Sequence, residues 1–323
     1  MERKFSISNS LGQYASNFGI WFFLGIIVIV MSTASNAFLS TSNIINILRQ
    51  AALIGIVAVG MTYVMIGGNF DLSVGATMSF AAVIAISMQP VDVSGTVLAI
   101  VWPLLAGAAV GAANGALVGY LKLNPFITTL GMQFVVLGTS QLYCGGQHLW
   151  VFGCHPVFEA LGNGFIFSVP VSAVILITAV IVAQWALSYT NFGIYLKASG
   201  ENAQAAKLSG AKVEKTIFIS YLLVSICAAI AGVILASWVK NFDPSSGIGY
   251  EFEIITAVVL GGTSLLGGRG NVTNTFAGVL ILIIIGNAMT LLNISYQYQL
   301  MVRGIIIITA VSLELIMKRK SRQ

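Results

Sequence analysis

The sequence contains very little charge. Only 8% of its 323 residues are Asp, Glu, Lys or Arg, whereas a soluble domain carries about 25%. Hydrophobic residues make up 57% of the chain, and the mean hydropathy is +0.94. A surface that contacts water cannot be built from so few charges, so lipid must cover much of this one. The composition therefore excludes a soluble globular protein and predicts an all-α, polytopic integral membrane protein.

The sequence also lacks the short motifs of catalysis and nucleotide binding. It contains no HExxH and no GxSxG. The nearest approach to a phosphate-binding loop, residues 262–267, is followed by Gly268 and Arg269, where that loop requires Lys and Ser or Thr. Without the lysine and the hydroxyl, nothing reaches the phosphates or holds magnesium. We therefore expect a chain that is not an enzyme and binds no ATP itself.

Cysteine and histidine are scarce as well, with three and two residues respectively. No CxxC or His/Cys cluster is present, so we expect no metal site. Cys144 and Cys154 lie in one loop with both histidines, where they either form a disulfide or are ordinary small apolar residues. The 15 Lys and Arg residues exceed the 10 Asp and Glu residues only slightly, and their scatter argues against a nucleic-acid partner.

Long apolar stretches fill the rest of the chain. At about 20 residues per crossing, they predict about ten transmembrane helices in a single domain, 1–323. The stretches near 72–88 and 254–266 are short or Gly-rich, and we expect them to be broken or re-entrant, which is tolerated only where protein or a cavity surrounds the backbone. The ten stretches are 19–33, 44–66, 72–88, 97–120, 126–143, 166–188, 217–238, 254–266, 272–292 and 297–316.

The basic residues predict the orientation. With the N-terminus inside, the cytoplasmic segments are 1–18, 67–71, 121–125, 189–216, 267–271 and 317–323. They contain most of the 15 Lys and Arg residues: Arg3, Lys4, Lys122, Lys197, Lys207, Lys212, Lys215, Arg269, Lys318, Arg319, Lys320 and Arg322. Cytoplasmic loops carry such an excess, so we expect both the N-terminal segment 1–18 and the tail 317–323 in the cytoplasm.

The inside loop 189–216 contains a helix-forming run from Glu201 to Leu208, which Ser209 and Gly210 would end. Flanking lysines favour either lipid headgroups or a soluble partner. Three alanines keep the surface small and suited to a groove, which puts partner docking slightly ahead of a solvated loop. They are Ala203, Ala205 and Ala206.

Few ionisable groups fall in the spans. Asp71 sits at the break between the second and third stretches, where we expect it to cap the following helix; the alternative is that it shapes a gate. A faint internal echo is also present, because Val64–Gly68 followed by Leu72 is similar to Val258–Gly262 followed by Leu266. Either the chain has two related halves or the similarity arises by chance.

Four segments together resemble a known family. They are 60–75 (GMTYVMIGGNFDLSVG), 124–132 (NPFITTLGM), 193–210 (GIYLKASGENAQAAKLSG) and 257–270 (AVVLGGTSLLGGRG). The chain resembles the ribose and related monosaccharide permeases of ABC importers and, more distantly, the branched-chain amino-acid permeases. The four segments occur in the family's order and cover the chain from about residue 40 to 315.

The resemblance implies an all-helical permease of the bacterial inner membrane that pairs with a second permease, two cytoplasmic ATP-binding domains and a periplasmic sugar-binding protein. ATP and Mg would be bound by the partner ATPase, and lipid would surround the permease. The coupling helix that enters a groove of the ATPase would comprise Glu201, Asn202, Ala203, Ala205, Ala206, Ser209 and Gly210. Asn69 departs from the family, whose sugar permeases often have an apolar residue there.

We therefore expect this chain to translocate a monosaccharide, a ribose-like pentose or a hexose. The alternatives are another cargo in the same machinery (a sugar-like signal molecule, a nucleoside or a branched-chain amino acid) and, in a different class, a secondary carrier or channel. A proton-coupled carrier would need a buried carboxylate or histidine relay, which the predicted spans do not offer. Polar candidates for the translocation path are Thr62, Asn69, Asp71, Ser73, Thr128 and Thr129.

Overall fold

A computed structural model describes residues 19–244 and 246–320, so the predicted segment 1–18 and residues 321–323 of the predicted tail lie outside the described residues. The described chain is predominantly helical, as predicted. Its helices are α1 Gly19–Ala34, α2 Thr41–Ile66, α3 Val74–Ser87, α4 Val93–Gly115 with a π-helical turn Ala116–Tyr120, α5 Pro125–Tyr143, α6 Pro156–Asn163, α7 Val171–Tyr189, α8 Asn191–Leu208, α9 Val213–Val239, α10 Tyr250–Leu260, α11 Val272–Leu291 and α12 Tyr296–Lys320. Four two-residue strands accompany them: β1 Leu149–Trp150, β2 Phe165–Ile166, β3 Val169–Pro170 and β4 Asn241–Phe242.

Each predicted apolar stretch coincides with a helix. Within the described residues, five helices are long and apolar enough to cross a membrane: α2, α4 with its π-helical turn, α7, α9 and α11. Together with the family described below, they make the chain a multi-pass membrane protein. The number of ten crossings stays a prediction.

The helices at the two predicted breaks are too short to cross a bilayer. α3 has 14 residues and α10 has 11, which correspond to about 21 and 16 Å at 1.5 Å per residue, against a hydrocarbon core of about 30 Å. Non-helical backbone precedes each of them, at 67–73 and at 243–244 and 246–249. Most of the first stretch is buried, as are Pro244 and Gly247 of the second. The expectation of broken segments at these two places is confirmed.

Short polar side chains fix where several helices begin. The Asp92 carboxylate accepts a hydrogen bond from the N–H of Gly95 (2.6 Å) at the start of α4. That bond lowers the pKa of Asp92 below its ordinary value. The Asn124 side chain accepts from the N–H groups of Phe126 and Ile127 before α5, where Pro125 occupies the first helical position. These are standard helix caps, and they satisfy N–H groups that a helix leaves unpaired.

α9 lies at the centre of the bundle, in contact with α2, α3 and α4. α4 approaches it through glycines spaced four residues apart. A methyl group at Gly107 would lie 2.7 Å from Ala229 Cβ, and one at Gly111 would lie 2.6 Å from the carbonyl oxygen of Tyr221. Gly115 and Gly119 continue the stripe. Because lipid is as apolar as the side chains, close backbone packing of this kind is a main source of helix association in membranes.

The two Gly-Gly turns of the predicted echo adopt the same structure. We call Gly67–Gly68, which ends α2, the first Gly-Gly turn, and Gly261–Gly262, which ends α10, the second. Their second glycines have φ of +77° and +80°, the left-handed conformation that ends many helices. In each turn the following N–H bonds to the carbonyl five residues back: Asn69 to Val64 (3.0 Å) and Thr263 to Val258 (3.2 Å).

The similarity extends to the start of the next helix. Asp71 Oδ1 accepts from the N–H and the hydroxyl of Ser73 at 2.8 and 2.6 Å. Asn271 Oδ1 accepts from the same two groups of Thr273 at 2.9 and 2.5 Å. Two segments about 200 residues apart therefore share a helix end, a turn and a side-chain bond, which favours two related halves over chance similarity.

The loop with both histidines, about 145–164, lies outside in the predicted orientation and is more ordered than its Gly-rich sequence suggests. β1 pairs antiparallel with β4, with Leu149 opposite Phe242, and α6 follows. Lys240 Nζ bonds to Glu159 Oε1 at 2.6 Å, which raises the pKa of Lys240. Cys144 and Cys154 are free cysteines. Of the two alternatives for this pair, the structure therefore has separate, half-buried thiols and no disulfide.

Candidate functional site

The predicted coupling segment, 201–210, lies at the end of α8. α8 kinks at Asn202 (φ −157°, ψ 98°), whose side chain accepts from the N–H of Ala205 at 3.0 Å. Asn202 thus caps a second short helix that ends at Leu208, and Gly210 follows with φ of +87°. The short helix and its end are as predicted. The rest of the predicted loop is also helical, because α8 begins at Asn191 and α9 at Val213.

Most of this segment is exposed. Leu208 is 87% exposed. The exposed residues that were predicted to dock are Glu201, Asn202, Ala203, Ala205, Ser209 and Gly210, and Gln204 and Lys207 are exposed beside them. The segment therefore presents a mixture of small and polar side chains and one exposed leucine.

Ala206 is the exception among the predicted docking residues. It is buried against Ala211 and Val213 of its own chain, so it holds the segment to the protein body instead of facing a partner. Lys207 Nζ adds an ion pair with Glu214 Oε1 at 2.5 Å. Both contacts join the coupling segment to the start of α9.

Three path candidates meet in one buried cluster. Asp71 and Ser73 are fully buried and bonded to each other, and Asn114 of α4 donates its side-chain amide to Ser73 Oγ at 2.9 Å and lies 3.4 Å from Asp71 Oδ2. Thr129 of α5 accepts from the N–H of Leu72 at 3.0 Å. Asp71 was expected to cap α3, but this helix begins at Val74 with Ser73 as its N-cap residue and has no side-chain cap. Asp71 bonds instead to the N–H and hydroxyl of Ser73, just before the helix. It also forms part of a network with α4, which no local pattern reveals.

The other path candidates lie elsewhere. The Thr62 hydroxyl bonds to that of Thr275 on α11 at 2.9 Å, and both are buried. Asn69 turns back to the carbonyl of Gly67 (2.9 Å). Thr128 is half-buried on α5. Within this chain the candidates therefore bond mainly to the protein itself, and their part in a path stays a prediction.

Sequence reasoning missed a second buried carboxylate. Glu251, in the first turn of α10, is 1% exposed. Its Oε1 accepts from Gln133 Nε2 at 2.9 Å, and its Oε2 accepts from the N–H of Gly249 at 3.1 Å. A methyl group at Gly75 would lie 2.5 Å from Glu251 Oε2, so the N-termini of α3 and α10 meet at this carboxylate. The signal in the sequence was a carboxylate two residues after Gly249, at the start of a short apolar run.

A further charged pair joins the spans. Arg303 of α12 forms an ion pair with Glu253 of α10, and both side chains are half-buried. Pairing with an opposite charge is typical of ionisable residues in membrane-spanning segments.

Opposite the coupling segment, the predicted outside connections border a cavity of about 400 Å³. Arg49 lies in its wall, donates to the carbonyl of Asn163 at 3.1 Å and stacks over the Phe165 ring at 5.3 Å. Polar and aromatic side chains share the lining, among them Ser40, Asn43, Asn46 and Trp238. Within the described residues, no three His, Cys, Asp or Glu side chains group to hold a metal ion.

Comparison with known proteins identifies the family. The family described as "Branched-chain amino acid transport system / permease component" matches residues 43–311. The chain belongs to this family. Its relatives include the ribose import permease protein of Bacillus subtilis (strain 168), 40% identical over 296 residues that cover 90% of this chain and 91% of the relative. None of the solved structures matches the chain.

Other permeases of the family are similar over nearly the same length. The ribose import permease protein of Escherichia coli (strain K12) is 35% identical over 294 residues, which cover 88% of this chain and 89% of that protein. The L-arabinose transport system permease protein of the same strain is 33% identical over 312 residues, covering 94% and 92%. The chain is thus a permease component, a membrane transport subunit, and the resemblance seen in its four segments is confirmed.

Proposed function

We propose that this permease carries a monosaccharide across the bacterial inner membrane and is driven by ATP hydrolysis on partner subunits. The observation that carries the proposal is the exposed helical segment 201–210 at the end of α8, which presents small and polar side chains and Leu208. A segment of this kind suits the groove of a soluble partner. Relatives named for the import of ribose and the transport of L-arabinose and D-allose support a sugar as the cargo.

The charges at the N-termini of the broken helices α3 and α10 favour a neutral cargo. In transporters, the positive N-termini of broken helices often hold anionic groups of the substrate. Here the N-terminus of α3 is faced by Asp71 and that of α10 by Glu251. Their own carboxylates complement these ends, which supports an uncharged sugar over an amino acid with its carboxylate.

Three kinds of partner complete the proposed machine. A second permease subunit would pair with this chain, two cytoplasmic ATP-binding domains would bind ATP and Mg, and a periplasmic sugar-binding protein would deliver the cargo. The exposed apolar side chains of α4 and α5, such as Trp102 and Phe134 (51% and 66% exposed), have lipid or the second permease to cover them.

These partners imply a sequence of transport steps. The binding protein releases the sugar into a cavity between the two permeases. ATP-driven closure of the ATP-binding domains then pushes on residues 201–210, and the spans rock to open the cavity inward. Because the binding protein supplies the affinity, the permease itself need not hold the sugar tightly. Both chain termini lie in the cytoplasm in this arrangement, on the side of the coupling segment.

Co-purification with the ATP-binding subunit of the same transporter tests the docking surface. The double substitution Glu201→Arg, Ala205→Arg places two bulky cations on the exposed side of the segment, so we expect the subunit to be lost. Phe167→Arg is the matched control, because Phe167 is 98% exposed in the connection between β2 and β3 on the opposite side. Retention of the subunit by the double variant would contradict the proposal. Loss of the subunit from the Phe167→Arg control would show that it binds the opposite side of the permease, so that the predicted membrane orientation is wrong.

A further inference from the structure

We propose that a glycine joint at Gly200 transmits movement of the coupling segment to both Gly-Gly turns, and through them to the broken helices α3 and α10. The inference rests on the proposed function, because it requires an ATPase that moves residues 201–210. It adds the specific residues through which that movement reaches the membrane interior.

The joint begins one residue before the coupling segment. Gly200 lies so close to the end of α2 that a methyl group there would overlap the carbonyl oxygen of Ile66 and lie 2.5 Å from the N–H nitrogen of Gly268. Both neighbours are backbone atoms, which no rotamer change can move aside. α8 therefore meets two other connections backbone to backbone.

Those two connections are themselves bonded. The N–H of Gly268 donates to the carbonyl of Ile66 at 2.8 Å. A methyl group at Gly267 would lie 2.8 Å from Gly68 Cα and 2.9 Å from the Gly200 carbonyl oxygen. The first Gly-Gly turn, the connection after the second Gly-Gly turn and the end of α8 thus interlock at one point.

Each connection leads to a part of the membrane interior. After the first Gly-Gly turn, residues 69–73, which include Asp71, lead to α3. The residues from the second Gly-Gly turn to 271 join α10 to α11. Leu196, fully buried on α8, adds a side-chain contact, since its Cδ1 lies 3.2 Å from the position of a methyl group at Gly67. Closely packed elements shift as units, so the coupling segment cannot move without these connections.

Gly200→Ala is the direct test, in proteoliposomes that contain the permease, the ATP-binding subunit and the sugar-binding protein, with radiolabelled D-ribose as the probe. The added methyl forces the joint apart while the exposed surface 201–210 stays unchanged. We expect the ATP-binding subunit to co-purify as with wild type, while ATP-driven uptake falls by about tenfold. Molecules of ATP hydrolysed per sugar taken up should rise correspondingly.

A matched pair of variants covers the case in which Gly200→Ala fails to fold. Gly268 and Gly146 both have positive φ (+80° and +70°), so Ala introduces similar backbone strain at each. A methyl group at Gly268 meets Glu201, the first residue of the coupling segment, whereas one at Gly146, in the connection after α5, has no atom within 4 Å. We expect Gly268→Ala to uncouple hydrolysis from uptake and Gly146→Ala to remain coupled.

The outcomes separate the joint from the proposed function. If Gly200→Ala, or Gly268→Ala in its place, transports with the wild-type ratio of ATP to sugar, the joint is not the transmitting element and the inference is wrong. Equal uncoupling by Gly146→Ala also overturns it, because strain alone would then explain the loss. If the wild-type complex itself shows no ATP-driven uptake of any of the sugars D-ribose, D-allose and L-arabinose, the proposed function fails.

Discussion

Asp71 is held by more hydrogen bonds than any local motif requires. Its Oδ1 accepts from the N–H and hydroxyl of Ser73, and Asn114 approaches from α4. All three residues are fully buried. A buried polar group without a partner destabilises a protein more than a satisfied one stabilises it. The network therefore matters chiefly for what would be left unpaired if one member were lost.

Asp71→Leu should destabilise the protein, while Asp71→Asn should largely preserve it. Leucine leaves the N–H and the hydroxyl of Ser73 without the oxygen that accepts from both, at about 1–3 kcal/mol for each unsatisfied group. We therefore expect the Tm in detergent to fall by about 4 °C or more. Asparagine retains the side-chain oxygen. Glu201→Leu, at an exposed position, is the control for loss of a carboxylate. A wild-type Tm for Asp71→Leu would contradict this account.

Single residues were predictable where their partner is local. Asp71 was expected at the start of α3 because it is followed by an apolar run, and it bonds there. Its contact with Asn114 joins residues 43 apart, and the bond between Gln133 and Glu251 joins residues 118 apart. Such pairs depend on how helices pack, which the spacing of residues along one segment does not contain.

At the scale of elements, the α4 glycine stripe determines how closely α4 and α9 approach. Gly111 is the tightest test, since its neighbours are the carbonyl oxygen of Tyr221 (2.6 Å), Ser225 Cβ (2.8 Å) and Leu222 Cα (2.9 Å). In an isolated helix, alanine is favoured over glycine by about 1 kcal/mol. Packing and propensity therefore predict opposite effects of the same substitution.

Gly111→Ala should lower the stability, because the two backbones must separate; overpacking of this kind costs about 1–3 kcal/mol. Gly131→Ala is the matched control, since Gly131 lies in α5 with no atom within 4 Å of the added methyl, and there the Tm should stay the same or rise. Thermal unfolding in detergent by fluorescence measures both. Equal Tm values for the two variants would show that the stripe does not set the packing.

The elements themselves followed closely from the sequence. Apolar length located the helices, and shortness with Gly-rich flanks identified α3 and α10 as broken. The short helix after Asn202 was predicted, whereas the residues before it, from Asn191, were expected to form a loop and are helical. The burial of Ala206 was likewise missed, since it arises from contact with the start of α9.

At the scale of the whole molecule, the described chain separates two tasks. The coupling segment is exposed at one end of the bundle, while the buried carboxylates Asp71 and Glu251 lie where the broken helices begin. The glycine joint connects the two regions. The family could be predicted from four short segments of sequence, because turns with a positive φ require glycine at particular positions. The cargo could not be predicted, since the path candidates bond to their own chain.

ATP-driven uptake into proteoliposomes tests the central claim most directly. Permease, ATP-binding subunit and sugar-binding protein are reconstituted, and uptake of radiolabelled D-ribose, D-allose and L-arabinose is measured with and without ATP. The account predicts uptake of at least one sugar that requires ATP and all three proteins, and that is lost with Glu201→Arg, Ala205→Arg. Uptake by the permease alone, at the same rate without ATP, would contradict it and establish a self-sufficient carrier.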